Sequence, residues 1–228
     1  MKIYLDGATL KDIPLYKKKV DGFTYNPTLI SKFPKKNYLT YCKQLAKKTS
    51  PLAVSLEVIA DDVEGMVSQA KILSKISKNI EIKIPITFTN GVYTNEVIQE
   101  LVRLNIKMNI TAIFNIRQIK KIHKIIKNTK TILSIFAGRI HDTGISAEKE
   151  MEIVVKFLKK NNSKCRLLWA STRQIYDYVQ AKRSGCHIIT MSKEIFNKKN
   201  NFKLHWKKHS LLTVNQFYLD AKKSGFKI

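Results

Sequence analysis

Ile80-Glu81-Ile82-Lys83-Ile84-Pro85-Ile86 is the stretch whose reading decides the fold. Isoleucine recurs at every second position, so a strand here carries four isoleucines on one face and Glu81, Lys83 and Pro85 on the other. In a closed barrel one face of each strand packs under outer helices and the other fills the interior, which makes the acid and the lysine interior residues. Similar short apolar runs lie on both sides: KIYLDG (2–7), VDGFTYN (20–26), AVSLEVI (53–59), KMNITAIF (107–114), TILSIFAG (131–138), KCRLLWAS (164–171) and HIITMS (187–192). With 80–86 they make eight.

Helical patterns separate the runs, as in DDVEGMVSQAKILSKISKN, TNEVIQELVRLN, NIRQIKKIHKIIKN and SAEKEMEIVVKFLKKNN, with Asp61, Thr94, Asn115 and Ser146 as N-caps. Eight strand-and-helix units without a linker predict a single-domain α/β fold, a (β/α)8 TIM barrel spanning 1–228. Residues 27–50 are less regular and read as two short helical pieces around the FPKKN break. Residues 193–228 read as a basic segment followed by a packing or oligomerisation helix, roughly Leu211 to Lys223.

The composition suits a globular chain with one substantial core: 228 residues, 44% hydrophobic and 26% charged. No run reaches the roughly 18 apolar residues of a membrane span, and MKIYLDGATL puts an acid where a signal peptide keeps its apolar run. A cytoplasmic protein without a membrane partner is expected. Cys42, Cys165 and Cys186 show neither CxxC nor zinc spacing and read as buried thiols. His205 and His209 lack a third ligand, and both the GxGxxG and GxxxxGK phosphate motifs are missing, so no metal and no cofactor are expected. Lys and Arg number 42 against 17 acids, a net charge of +25. The lysines are scattered through every segment rather than gathered with arginines and aromatics on one element, so specific nucleic-acid binding is not expected.

Strand parity extends the reading from Lys83 to its neighbours. Val54, Leu56 and Val58 oppose Ala53, Ser55 and Glu57, while Met108, Ile110 and Ala112 oppose Asn109 and Thr111. The same rule turns inward Asp6, Thr24, Asn26, Ser134, Phe136, Trp169 and Ser171, most of them near the strand ends where barrel enzymes place their chemistry. An amine in a partly dry pocket under positive potential falls below its free pKa of about 10.4 and becomes a nucleophile toward carbonyls. Glu57 and Thr111 suit a held water, Asp6 suits a base at the hydroxyl beside a breaking carbon–carbon bond, and Asn26, Asn109 and Ser134 suit a polyol. Arg139 and Arg173, after the sixth and seventh runs, suit a sugar phosphate.

The segments LDGAT, GFTYNPTLI, SLEVIADDVEGM, IKIP, NITAIF, SIFAGRIHDTG and WASTR, in this order, resemble the short transaldolase and fructose-6-phosphate aldolase family, class I enzymes on a (β/α)8 barrel. The resemblance spans roughly residues 1–192 and extends to the last helix, and it implies Lys83 as Schiff-base lysine, Asp6 as proton-transfer acid and base, and Glu57 with Thr111 as holders of the catalytic water. It implies that Asn26, Asn109 and Ser134 contact the dihydroxyacetone part, that Thr24 lines the same pocket, and that Arg139, Ser171 and Arg173 form the phosphate end. Glu57 and Phe136 resemble the transferases of the family, whereas its simple aldolases tend to have Gln and Tyr there. Sugar phosphate substrates and a homo-oligomeric ring, a pentamer or decamer, are further implications. The chain departs from the family pattern at Gly7, Tyr25 and Ile135, and Tyr25 and Trp169 are the residues expected to reshape the pocket.

Overall fold

The computed structural model describes residues 1–31 and 37–227. Eight parallel strands close into a barrel in sequence order: β1 (Lys2–Asp6), β2 (Gly22–Thr24), β3 (Ala53–Glu57), β4 (Ile80–Pro85), β5 (Met108–Ile113), β6 (Ile132–Phe136), β7 (Arg166–Ala170) and β8 (Ile188–Ser192). Each lies inside one of the eight apolar runs. Helices alternate with them, so the expected (β/α)8 barrel is the fold. Residues 33–36 of the FPKKN break lie outside the described residues. No helix among the described residues is long and apolar enough to cross a membrane.

The amphipathic patterns become helices at Val63–Ser74, Asn95–Arg103, Ile116–Ile126 and Ala147–Lys160. Asn115 caps its helix with a full capping box, accepting from the Gln118 amide while the Gln118 side chain accepts from Asn115. The other caps differ from expectation. Asp62 rather than Asp61 caps Val63–Ser74 through the Gly65 amide, and Asp61 binds Thr89 across the barrel end. Thr94 and Ser146 sit at cap positions without a side-chain cap bond. The Thr94 hydroxyl donates instead to the Pro85 carbonyl, tying its helix to the end of β4.

Two apolar layers hold the barrel. The outer one joins helix faces to the outward side chains of the strands, including Leu5, Phe23, Leu56, Ile82, Ile84, Ile110 and Ile135, all fully buried. The inner one centres on β1 and β6–β8, where Tyr4, Ile132, Leu168, Ala170 and Ile188 pack together with Ala53 of β3 against them. The interior of β3–β5 is polar.

Two parity readings fail. Ala112 adopts φ +58 and the β5–β6 register shifts between Ile110 and Ile113. A bulge there inserts one residue, so Ile113 rather than Ala112 rejoins the outer layer beside Ile135. On β7, Leu168 pairs with Ser134 and Ala170 with Phe136, so Trp169 points outward, into the outer core. RLLWA is apolar on both faces and offers no alternation to count. Ser171, read inward with Trp169, lies past the strand end at φ +60 and does line the cavity.

Met1–Phe196 form one compact unit, and the chain from Asn197 forms a second, smaller one. The latter's helix runs Trp206–Ser224, starting five residues before the expected Leu211 because His205 caps it, its ring accepting from the Lys207 amide. The three cysteines are free and buried, and burial pushes their thiols up.

Candidate active site

At the carboxyl ends of the strands lies a cavity of about 300 Å³. It brings together Asp6, Thr24, Asn26, Lys83, Asn109, Thr111, Ser134, Phe136, Arg139, Ser171 and Arg173. Glu57 alone of the expected residues does not line it. It sits beside Lys83, and its carboxylate lies 2.9 Å from the lysine Nζ. Register explains the pairing, because Glu57, Lys83 and Asn109 are side-by-side partners on β3, β4 and β5.

Lys83 is 5% exposed, and its Nζ also donates to the Tyr25 carbonyl at 3.1 Å. The charge at closest range is therefore a carboxylate, and not the diffuse positive field that composition suggested. Tyr25 acts here through its backbone. Its side chain is fully buried in the outer core and donates to the Ala8 carbonyl at 2.7 Å. Neither Tyr25 nor Trp169 therefore reshapes the cavity.

Asp6 ends β1 with its Oδ1 accepting from the Thr24 hydroxyl at 2.6 Å. Burial pushes its carboxyl up, and the Lys83 charge and the Thr24 hydroxyl pull the other way. The Thr24 hydroxyl also lies 2.6 Å from that of Thr190 on β8, which lines the cavity with Ser192. Sequence reading assigned β8 no role, although HIITMS places Thr190 and Ser192 two apart, the spacing of one strand face. Thr111 is 1% exposed and its Oγ1 has no hydrogen-bond partner among the described residues. A buried hydroxyl without a partner is uncommon, and this one lines the cavity.

Asn109 is held at both ends of its amide. Its Oδ1 accepts from the Ser134 hydroxyl at 2.6 Å, and its Nδ2 donates to Ser55 Oγ at 3.1 Å. Ser55 in turn donates to Glu81 Oε2 at 3.2 Å, and Arg166 donates to Glu81 Oε1 at 3.0 Å. Donation runs from Ser134 through Asn109 and Ser55 to one carboxylate, which leaves the amide a single favoured orientation. Asn26 is also committed in part, since its Oδ1 accepts from the Leu29 amide at 2.8 Å to cap the helix Pro27–Ile30.

The two arginines stand on adjoining turns. Arg139 is exposed, on the short helix Ala137–His141, with its guanidinium 5.8 Å from the Phe136 ring centroid. Arg173 is paired with Asp142, and its amide donates to the buried carboxylate of Asp177 at 2.7 Å. The turns touch at Gly138, where an added Cβ would lie 1.7 Å from the Ser171 carbonyl oxygen. Among the described residues no group of three or more His, Cys, Asp or Glu side chains could hold a metal ion.

The family model for transaldolase/fructose-6-phosphate aldolase matches residues 3–227. A probable transaldolase of Thermoanaerobacter sp. (strain X514) is 30% identical over 232 residues, covering 100% of both chains. A probable transaldolase of Methanococcus maripaludis (strain C6 / ATCC BAA-1332) is 32% identical, covering 90% of this chain and 92% of its own. Among solved structures, dihydrodipicolinate synthase from Rhodopseudomonas palustris superposes with a TM-score of 0.57 at 11% identity, covering 83% of this chain and 69% of that one. The native KDPGal structure gives 0.56 at 11%, over 83% and 81%. At that identity these two show the fold alone. With its cavity at the carboxyl ends of a closed barrel, and matched over nearly its whole length, the chain belongs to the transaldolase/fructose-6-phosphate aldolase family and is an enzyme of transaldolase type.

Proposed function

We propose that this enzyme transfers a dihydroxyacetone unit from a ketose phosphate to an aldose phosphate through a Schiff base on Lys83. The observation that carries the reading is the buried Lys83 in a polar cavity, with the Glu57 carboxylate 2.9 Å from its Nζ and Asp6 lining the same cavity. Lys83, once it has given up a proton, attacks the ketose carbonyl carbon. The carbinolamine loses its oxygen as water and leaves an iminium. Glu57 and Thr111 hold the water that relays protons in these steps, and the partnerless Thr111 hydroxyl supports that role. Asp6 takes the proton from the hydroxyl next to the iminium-bearing fragment. The carbon–carbon bond breaks, its electrons pass into the iminium, and an aldehyde leaves while an enamine stays on Lys83. The enamine then attacks the acceptor aldehyde, Asp6 returns its proton to the new hydroxyl, and hydrolysis frees the product. A carboxyl raised by burial and lowered by a neighbouring ammonium suits a group that works in both directions.

Thr24, Asn26, Asn109 and Ser134 orient the polyol, and Arg139, Ser171 and Arg173 receive the phosphate. Phosphate binding must share Arg173 with Asp142. Phe136 lines the cavity without a hydroxyl and Glu57 is a carboxylate, which favours transfer over release of free dihydroxyacetone. A ring assembly such as a pentamer or decamer, in the cytoplasm, completes the reading. Support for it is the helix Trp206–Ser224, which buries none of its residues and exposes Leu211, Val214, Phe217 and Tyr218.

Borohydride reduction in the presence of a ketose phosphate tests the centre of the proposal. One adduct per chain, mapping to Lys83, and loss of turnover in a folded Lys83→Arg variant are expected. An adduct on another lysine, or an active Lys83→Arg enzyme, would overturn it. Adding an aldose phosphate should raise flux strongly. Rapid release of dihydroxyacetone without an acceptor would establish the aldolase reading instead.

A further inference from the structure

A second and larger cavity opens at the other end of the barrel, where the strands begin. Its volume is about 790 Å³, against about 300 Å³ for the catalytic one. Lys2 at the start of β1, Arg166 at the start of β7, Lys107 just before β5 and Lys130 just before β6 all line it, with Glu81 as its single acid. Four cations thus converge on one concave surface against one carboxylate. We propose that this amino-end cavity is a binding site for a small phosphate-bearing molecule, separate from the catalytic cavity.

One carboxylate cannot neutralise four cations, and both oxygens of this one already accept hydrogen bonds. Oε1 accepts from Arg166 and Oε2 from the Ser55 hydroxyl. Among the described residues no carboxylate lies within 4.0 Å of the Lys2, Lys107 or Lys130 ammonium. One terminal nitrogen of Arg166 binds Glu81 and reaches the Lys130 carbonyl at 3.5 Å, while its Nε is buried without a hydrogen-bond partner among the described residues. The Arg166 side chain is 30% exposed, and a phosphate is the anion that a planar guanidinium accommodates best. The positive field reaches neighbouring groups. The His187 imidazole is pushed down by burial first and then by Arg166, Lys159 and the amino terminus. Scattered lysines elsewhere on the chain share the charge but not this convergence on a cavity of ligand size.

Calorimetric titration of the full-length chain with inorganic phosphate at about 0.15 M ionic strength tests the site. Arg139→Ala/Arg173→Ala is the background, which silences the opposite end. One saturable site is expected. Adding Lys107→Ala and Lys130→Ala should weaken it about 10- to 100-fold. Arg166→Lys should also weaken it, because a compact ammonium lacks the planar fork with which a guanidinium holds a carboxylate on one side and a phosphate on another. The exposed control pair Lys18→Ala/Lys47→Ala should leave it unchanged. Absence of a saturable site in that background, or equal weakening by the control pair, would overturn the proposal. Glycerol 3-phosphate and adenosine monophosphate, titrated in the same way, distinguish a sugar-derived from a nucleotide occupant. Equal binding of glycerol or adenosine would refute the phosphate assignment.

Discussion

Gly138→Ala tests whether the phosphate end depends on two backbones in contact. A methyl carbon at Gly138 would sit 1.7 Å from the Ser171 carbonyl oxygen and 2.9 Å from Arg173 Cγ. An ordinary carbon–oxygen approach is about 3.3 Å, so roughly 1.6 Å must open between the two turns. The neighbour is backbone, and Ser171 already occupies the left-handed region at φ +60, so the turn has little freedom to yield. Overpacking of this kind costs about 1–3 kcal/mol. For a domain of this size that corresponds to a fall in Tm of about 3–10 °C. Because Arg139 and Arg173 ride on the two turns that must separate, kcat/KM for phosphorylated donors should fall about 100-fold, the scale expected when a positioning group is displaced by about 1 Å. Unphosphorylated dihydroxyacetone donors, which do not reach these turns, should lose far less. Thermal melts and steady-state kinetics with both donor types decide the matter. A Tm within about 1 °C of the parent together with unchanged kinetics would refute the reasoning.

Arg139→Ala and Arg173→Ala should each lower kcat/KM for phosphorylated ketoses by about one to two decades and spare unphosphorylated donors; equal loss with both would show that the phosphate end lies elsewhere. Thr111→Val replaces a buried hydroxyl that has no partner, so stability should hold within about 1 kcal/mol while turnover falls at least about tenfold, and an active variant would remove Thr111 from the water relay. Asp6 is held above the ordinary carboxylate range by burial, so the folded chain keeps that proton longer than the unfolded one. Its contribution to stability is full below about pH 3.9 and is lost as pH rises through the folded value, so the Tm of Asp6→Asn relative to the parent should climb from about pH 3.5 to 7, and a flat difference would contradict the shift.

What could be read from the sequence was whatever depends on period two. IEIKIPI and AVSLEVI alternate cleanly, so the inward set on β3 and β4 followed from counting, and register then brought Glu57 beside Lys83. Counting failed where the backbone leaves the period. The bulge at Ala112 and the left-handed turn at Ser171 are conformational features that no side-chain pattern announces in MNITAI or RLLWAS. Trp169 points outward against expectation, since RLLWA is apolar on both faces and gives no alternation to count. The Tyr25 carbonyl that receives the Lys83 ammonium was invisible for another reason, since every residue carries a carbonyl and only the fold selects one. The caps show the same limit at short range: Asp61 and Asp62 are equally good cap residues, and the entry angle of the chain decides between them.

The division of the barrel interior explains how one small domain carries both a core and a reaction. Tyr4, Ile132, Leu168, Ala170 and Ile188 pack the interior on the side of β1 and β6–β8. On the side of β3–β5 the interior holds Ser55, Glu57, Glu81, Lys83, Asn109 and Thr111, and burial makes each lone polar group there expensive. Nearly all are satisfied by one another, in two sets. Lys83 answers Glu57, and the chain from Ser134 through Asn109 and Ser55 ends on Glu81, itself answered by Arg166 at the opposite mouth. An interior apolar throughout would pack with less risk, but it could not hold a lysine out of water or fix the rotation of an amide. Among the described residues Thr111 Oγ1 is the buried polar atom of this set left without a partner, and it lies where the proposed reaction needs its water held.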